Sequence, residues 1–182
     1  MIKSTVLSPR SYIEHFLSQL PGKLGEDLRY SYYKKRLGAC GSRIRFAFNT
    51  RIISPSNLFL GDNIALGWDT IFDATGGIYI EDLAGVAPGS ILLSESPVYT
   101  NPDIPIREQG FISKKIIIRR DAWVGANCII NAGVTIGEGA VIAGGSVVSS
   151  DVAPYALIAG NPGRTVGWRK NPKDVVSTVT HT

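Results

Sequence analysis

An apolar residue returns at every sixth position from Ile118 through Val124, Ile130, Ile136 and Ile142 to Val148. Four places after each stands a small or modest residue: Ala122, Cys128, Val134, Ala140, Ser146 and Val152. Neither a helical period nor the alternation of one long strand produces this spacing. A chain wound as a parallel β-helix does, each short face of the coil taking one six-residue unit. The apolar residue then points into the prism and the smaller one fills the space beside it.

The same step occurs earlier with one slip. Leu60, Leu66 and Phe72 keep it, two further residues intervene, and Ile80, Val86 and Leu92 resume it. Ile64, Thr70, Ala84 and Ser90 take the partner positions. The slip contains Gly76-Gly77 and reads as a bulge or an enlarged corner. Ser94 to Lys115 has no period and carries Pro97, Pro102 and Pro105, which predicts a protruding loop. Coil corners tolerate such insertions, and long loops on a regular scaffold commonly carry function.

Ahead of the repeats the pattern is helical. Ser8 reads as a cap with Pro9 in the first turn, and Tyr12, Phe16 and Leu20 share a face up to Pro21-Gly22. A second helix is expected from about Leu24 to Leu37, with Leu28, Tyr32 and Leu37 on its apolar side. The pair would cover the open end of the coil, attachment to a partner being the other reading. The expected organisation is therefore an all-β, parallel β-helix: residues 1–50 as cap and lead-in, 51–169 as the coil with its loop at 94–115, and 170–182 as a tail.

Composition refines this only slightly. The 182 residues, 44% of them hydrophobic, suit one core. No apolar run reaches the length that spans a bilayer, and the N-terminus lacks the pattern of a secretory signal, so the cytoplasm is the expected compartment. Cys128 falls on an inward repeat position and reads as a small buried hydrophobe. The net charge of +4 accompanies no nucleic-acid motif; a solvated face or a phosphorylated ligand accounts for it. No metal-ligand constellation is present.

The run from Trp123 to Val148, followed by Ser149-Ser150-Asp151 and then by Ala159-Gly160-Asn161-Pro162-Gly163-Arg164, resembles the signature of hexapeptide-repeat O-acetyltransferases. That group holds the thiogalactoside and maltose acetyltransferases and enzymes of surface polysaccharide biosynthesis. The resemblance covers roughly Asn57 to Arg169. It implies a left-handed β-helix, a homotrimer, and acetyl-CoA in a groove between subunits, the acetyl group passing to a hydroxyl of a saccharide or nucleotide-sugar acceptor. It also implies that Trp123, Gly125 and Ala126 begin the coil along the pantetheine arm, and that Gly144 offers backbone groups to it. Ser149 and Ser150 stand where the family often has Thr-Lys. Arg164 matches an arginine near the adenosine phosphates, and Arg169 is a second candidate.

Members of the family carry a histidine at the start of the long loop, where it takes the proton of the acceptor hydroxyl. Here that slot falls on Pro97, or near Tyr99 when counted from the other end, and the only histidines are His15 and His181. Glu95, two residues from the slot, is the candidate base; Asp69, where the family places an asparagine, is the candidate to orient the acceptor. A carboxylate takes up protons more readily where burial or a second acid disfavours its charge, which the two would supply to each other if they met. Tyr99, Asn101, Arg107, Asp103 and Glu108 are candidate acceptor contacts, or else a polar loop resting on the next subunit. The alternative to an acetyltransferase is an inactive homologue, a trimer that binds a ligand or stabilises an assembly.

Overall fold

In the computed structural model, which describes residues 9–170, the chain winds as a three-sided parallel β-helix. The first face consists of Ala39–Cys40, Leu58–Leu60, Ile78–Ile80, Ile116–Ile118 and Thr135–Ile136. The second consists of Arg45–Phe46, Ala65–Leu66, Gly85–Val86, Trp123–Val124, Val141–Ile142 and Ala156–Ala159. Arg51–Ile53, Ile71–Asp73, Ile91–Leu93, Ile129–Ile130 and Val147–Val148 make the third. A final strand, Arg164–Trp168, returns antiparallel to Ala156–Ala159.

The six-residue step maps directly onto the core. Ile118, Val124, Ile130, Ile136, Ile142 and Val148 are buried, as are all six of their smaller partners. Each such aliphatic contributes about 2 kcal/mol by leaving water. The polar partners are accommodated by turning their hydroxyls onto corner carbonyls: Thr70 Oγ1 donates to Gly67 O (2.8 Å), Ser90 Oγ to Gly125 O (2.8 Å) and Ser146 Oγ to Ala143 O (2.6 Å). Among the described residues no buried side-chain nitrogen or oxygen lacks a partner, as close packing of polar atoms demands.

Register explains the slip. Phe46 pairs with Leu66 and Leu66 with Val86, twenty residues apart, whereas Val124 pairs with Ile142 and Ile130 with Val148, eighteen apart. The surplus always falls between the third face and the first. It holds a single turn of tight helix at Pro55–Asn57, then the corner containing Gly76 and Gly77, then the whole of the inserted loop. One edge of the prism thus takes every enlargement.

The coil also starts earlier than the residue pattern suggests. Ala39–Cys40, Arg45–Phe46 and Arg51–Ile53 form a complete first turn inside the segment read as cap and lead-in. Cys40, Phe46 and Ile52 keep the six-residue step, but Arg43, Arg45 and Arg51 stand beside them and mask it.

Two helices, α1 (Pro9–Gln19) and α2 (Gly22–Lys34), close the first coil. Ser8 lies outside the described residues. The faces differ from those expected. Tyr12 and Phe16 are 62% and 64% exposed, and α2 buries Gly25, Arg29 and Tyr33, with Leu28 exposed and Tyr32 and Leu37 partly buried against the core. The cause is Arg29, whose fully buried guanidinium donates to the carbonyls of Phe46 (2.8 Å), Leu17 (2.8 Å) and Leu20 (2.7 Å). Those bonds join α1, α2 and the first coil, and Gly25 has no Cβ to obstruct the Leu20 carbonyl. A cation satisfied by three carbonyls overrides the aliphatic stripe as the inward face.

Carboxylates tie successive coils at the edge between first and second faces. Asp62 Oδ1 accepts from Ser42 N (2.6 Å) and Ser42 Oγ (2.9 Å), and Asp82 Oδ1 accepts from Asp62 N (2.8 Å). The backbone bond from Ser42, followed by its hydroxyl, holds the Asp62 carboxyl below the usual aspartate range.

Two outcomes follow. Arg29→Met, which fills the space but leaves three carbonyls without their donor, is expected to cost on the order of 3 kcal/mol in urea unfolding. Asp62 has a folded-state pKa below its unfolded one, so its stabilisation is present above the ordinary aspartate range and vanishes as pH falls through the folded value. Thermal melts of Asp62→Asn should therefore lie below wild type near neutrality and converge with it in acid; a constant gap contradicts the assignment.

Candidate functional site

Backbone bonds between successive coils align the corners that follow the second face. Asp69 N donates to Phe48 O (3.1 Å), Gly89 N to Trp68 O (2.9 Å), Asn127 N to Pro88 O (2.9 Å) and Gly145 N to Ala126 O (2.8 Å). Val147 N to Gly160 O (3.0 Å) extends the column to the turn that leads into Arg164. Asp69, Ala126, Gly144 and Arg164 therefore occupy one edge, in chain order, spanning about 19 Å from Asp69 to Gly160 at one strand spacing per coil.

Conformation selects residue type along this edge. Asn49, Asp69, Gly89, Asn127 and Gly145 all have positive φ at the same place in the corner. Asn, Asp and Gly tolerate that region best, so Asp69 meets a backbone requirement as well as any chemical one. Its Oδ1 accepts from Asn49 Nδ2 at 2.6 Å, which fixes the carboxylate on the exposed side of the edge. Glycine has two different roles here. At Gly125 a Cβ would press on Ile142 O and Gly144 N, both at 2.6 Å, so its smallness serves the stacking of coils. A Cβ on Gly145 meets nothing within 4 Å, and the edge is open at that point.

The inserted loop rises from the other side of the third face, at the edge that leads back to the first. Its base is a β-hairpin, Glu95–Pro97 pairing antiparallel with Phe111–Ser113. Ser94 anchors its base: the buried hydroxyl donates to Asp73 O (2.6 Å) and accepts from Gly76 N (2.8 Å). At the tip Gln109 Nε2 donates to Asn101 O (2.8 Å) and Ile104 O (2.7 Å). Asn101 Oδ1 accepts from Asp103 N (3.0 Å), so its carboxamide holds the turn. Tyr99, Arg107, Asp103 and Glu108 are exposed around that turn.

Glu95 lies on the first rung of the hairpin and accepts from Ser113 Oγ at 3.1 Å. Pro97 and Tyr99, the two positions counted for the family histidine, are both exposed. Glu95 and Asp69 stand on different edges of one prism with different partners, so a single chain does not make them face each other. Ser149 and Ser150 lie on the hairpin's edge, Ser149 Oγ accepting from Asn131 Nδ2 (2.7 Å). Arg169 is on the third edge, committed to Asp121 (3.1 Å) and to Gly139 O (2.8 Å), and does not join Arg164. Trp123 projects from the outer side of the second face, where it lines a recess with Trp68, Arg45 and Glu26. That recess escaped sequence reasoning because Glu26 and Arg45 lie in the segment taken as a lead-in.

His15 is an exposed residue of α1, and His181 lies outside the described residues. Burial pushes the Cys128 thiol up, and its Sγ rests 3.2 Å from Ala143 O. Among the described residues no cluster of His, Cys, Asp and Glu suits a metal, and no helix is long and apolar enough to cross a membrane.

The profile described as bacterial transferase hexapeptide (six repeats) matches residues 115–150. A chloramphenicol acetyltransferase of Agrobacterium fabrum is 37% identical over 81 residues, 42% of this chain and 39% of that protein. The galactoside O-acetyltransferase of Escherichia coli is 29% identical over 120 residues, 65% of this chain and 48% of its own length. The chain thus spans less than half of these curated relatives. A hexapeptide-repeat-containing acetyltransferase of Vibrio cholerae superposes with a TM-score of 0.78 at 27% identity, covering 88% of each chain. The structure of that acetyltransferase with acetyl coenzyme A superposes with a TM-score of 0.74 at 24% identity, covering 90% of this chain and 91% of the other.

Replacing Asp69 separates its two roles. Asp69→Asn keeps a residue suited to positive φ and is expected to melt within about 1 °C of wild type, whereas Asp69→Val should lose about 1–2 kcal/mol. Equal melting of both variants would exclude the backbone constraint.

Proposed function

We propose that the chain, whose residues 115–150 match the bacterial transferase hexapeptide profile, is an acetyl-CoA-dependent acetyltransferase acting on a saccharide hydroxyl. The observation that carries this reading is the continuous edge from Asp69 to Arg164. Its lower half is open at Gly145, leaves Ala126 and Gly144 exposed, and ends in an exposed guanidinium that donates to the neighbouring Gly163 carbonyl (2.9 Å). An extended donor with phosphates at one end and a thioester at the other fits that polarity, Arg164 meeting the phosphates.

The upper end of the edge holds Asp69, and Glu95 stands on the neighbouring edge. In a homotrimer with third faces turned to the common axis, the edge bearing Asp69 in one subunit lies beside the hairpin edge of the next. Glu95, Ser149 and Ser150 of one subunit then join Asp69, Ala126, Gly144 and Arg164 of another. Glu95 takes the proton as the acceptor oxygen attacks the thioester carbonyl, the thiolate of coenzyme A leaves and is protonated, and Asp69 orients the acceptor. Holding donor and acceptor together supplies much of the rate, which lowers the demand on a carboxylate base. A role in surface polysaccharide synthesis in the cytoplasm accords with the relatives that act on sugars.

The test is acetyl-CoA-dependent release of free thiol with a panel of sugars, paired with calorimetric binding of coenzyme A. Glu95→Gln should lower kcat by about 10²–10⁴-fold while coenzyme A binds as before. Arg164→Ala should weaken coenzyme A binding by about tenfold or more. Binding of coenzyme A without turnover on any acceptor would instead favour an inactive, ligand-binding homologue, a reading that Pro97 or Tyr99 in place of histidine would explain.

A further inference from the structure

We propose that the recess on the outer side of the second face is a subsite for a second sugar ring, so that the acceptor is an oligosaccharide or polysaccharide of neutral pyranose units. This rests on the acyl-transfer reading above and adds the size and charge of the acceptor to it.

The recess measures about 200 Å³ and lies between the helical cap and the coil. Trp68 and Trp123, 58% and 47% exposed, both line it. Neither indole stacks on another ring among the described residues, so their flat apolar surfaces are open. Its floor includes Ala65, an outward position with almost no side chain, whose strand partner is Gly85. Trp123 lies so close over Gly85 that any Cβ there would collide with the indole. The ring is therefore laid along the face rather than standing out from it. A level apolar surface beside a second indole complements the C–H face of a pyranose.

The polar end selects the charge of the guest. Glu26, from α2, and Arg45, from the first coil, both line the recess, and neither side chain forms a hydrogen bond or ion pair among the described residues. A carboxylate only accepts and a guanidinium only donates. Neighbouring sugar hydroxyls, each able to do both, satisfy the two at once. A carboxylated or phosphorylated sugar would set its charge against Glu26. Trp68 immediately precedes Asp69, so a ring held in the recess is the neighbour of the one whose hydroxyl reacts. The helical cap, through Glu26, then belongs to the binding surface as well as to the scaffold.

The experiment measures binding of the full chain to neutral oligosaccharides of two to six pyranose units and to their monosaccharides, by saturation-transfer NMR, alongside transfer kinetics on the same sugars. At least one oligosaccharide is expected to bind about tenfold more tightly than its monosaccharide, with saturation reaching the tryptophan rings. Trp68→Ala and Arg45→Gln, both at exposed positions, should each abolish that advantage and raise KM for the oligosaccharide about tenfold. The kcat, and KM for acetyl-CoA, should stay unchanged. Transfer to monosaccharides with no preference for longer chains overturns the subsite and leaves the acetyltransferase standing. Absence of transfer to every sugar overturns the acetyltransferase, and the acceptor role of the recess falls with it.

Discussion

A coil of this kind has peptide groups that only the coils above and below can satisfy. Every N–H and C=O directed along the prism must find a partner one strand spacing away, or a buried polar group is left unpaired at a cost of about 1–3 kcal/mol. That requirement fixes the register, and register in turn stacks equivalent corners into straight edges. The bonds from Asp69 to Phe48, Gly89 to Trp68, Asn127 to Pro88 and Gly145 to Ala126 are instances of it. Residues that are far apart in sequence become neighbours along a line because the backbone has no other way to close.

The three edges have diverged under that shared rule. One carries the carboxylates of Asp62 and Asp82, which fasten coil to coil. Another carries the small and left-handed residues that leave the backbone approachable. The remaining edge takes extra chain, from the short turn at Pro55–Asn57 to the hairpin at Glu95–Ser113. Because each coil touches only its neighbours, lengthening one corner need not disturb the ladder beside it.

Much of the prism was legible in the sequence because burial alternates with a fixed step, and Ile118 to Val148 keep that step without a break. The first coil was not, because its aliphatics are few and arginines flank them. Helix faces were misjudged for a physical reason: Arg29 is inward, and a pattern that counts only aliphatic residues places a cation outside. Candidate site residues were identified one by one, but their distribution over edges was not accessible. Arg169 looks equivalent to Arg164 in a linear motif, yet the return strand carries it to Asp121 on another side of the prism. The Trp68–Trp123 recess was invisible for the opposite reason, since it is assembled from four coils and a helix with no local spacing to announce it.

The strand Arg164–Trp168 runs against the direction of every other strand of its sheet. A stack of parallel rungs is by nature an open template, onto which a second prism of the same kind could dock and continue the ladder without limit. An antiparallel final rung alternates its donors and acceptors differently from the parallel edge such a newcomer would offer, and its exposed side chains include Arg164. At the opposite end α1 and α2 occupy the place where another rung would sit. The two terminations are unlike in structure but equivalent in effect, since each covers the rung to which a further coil would pair.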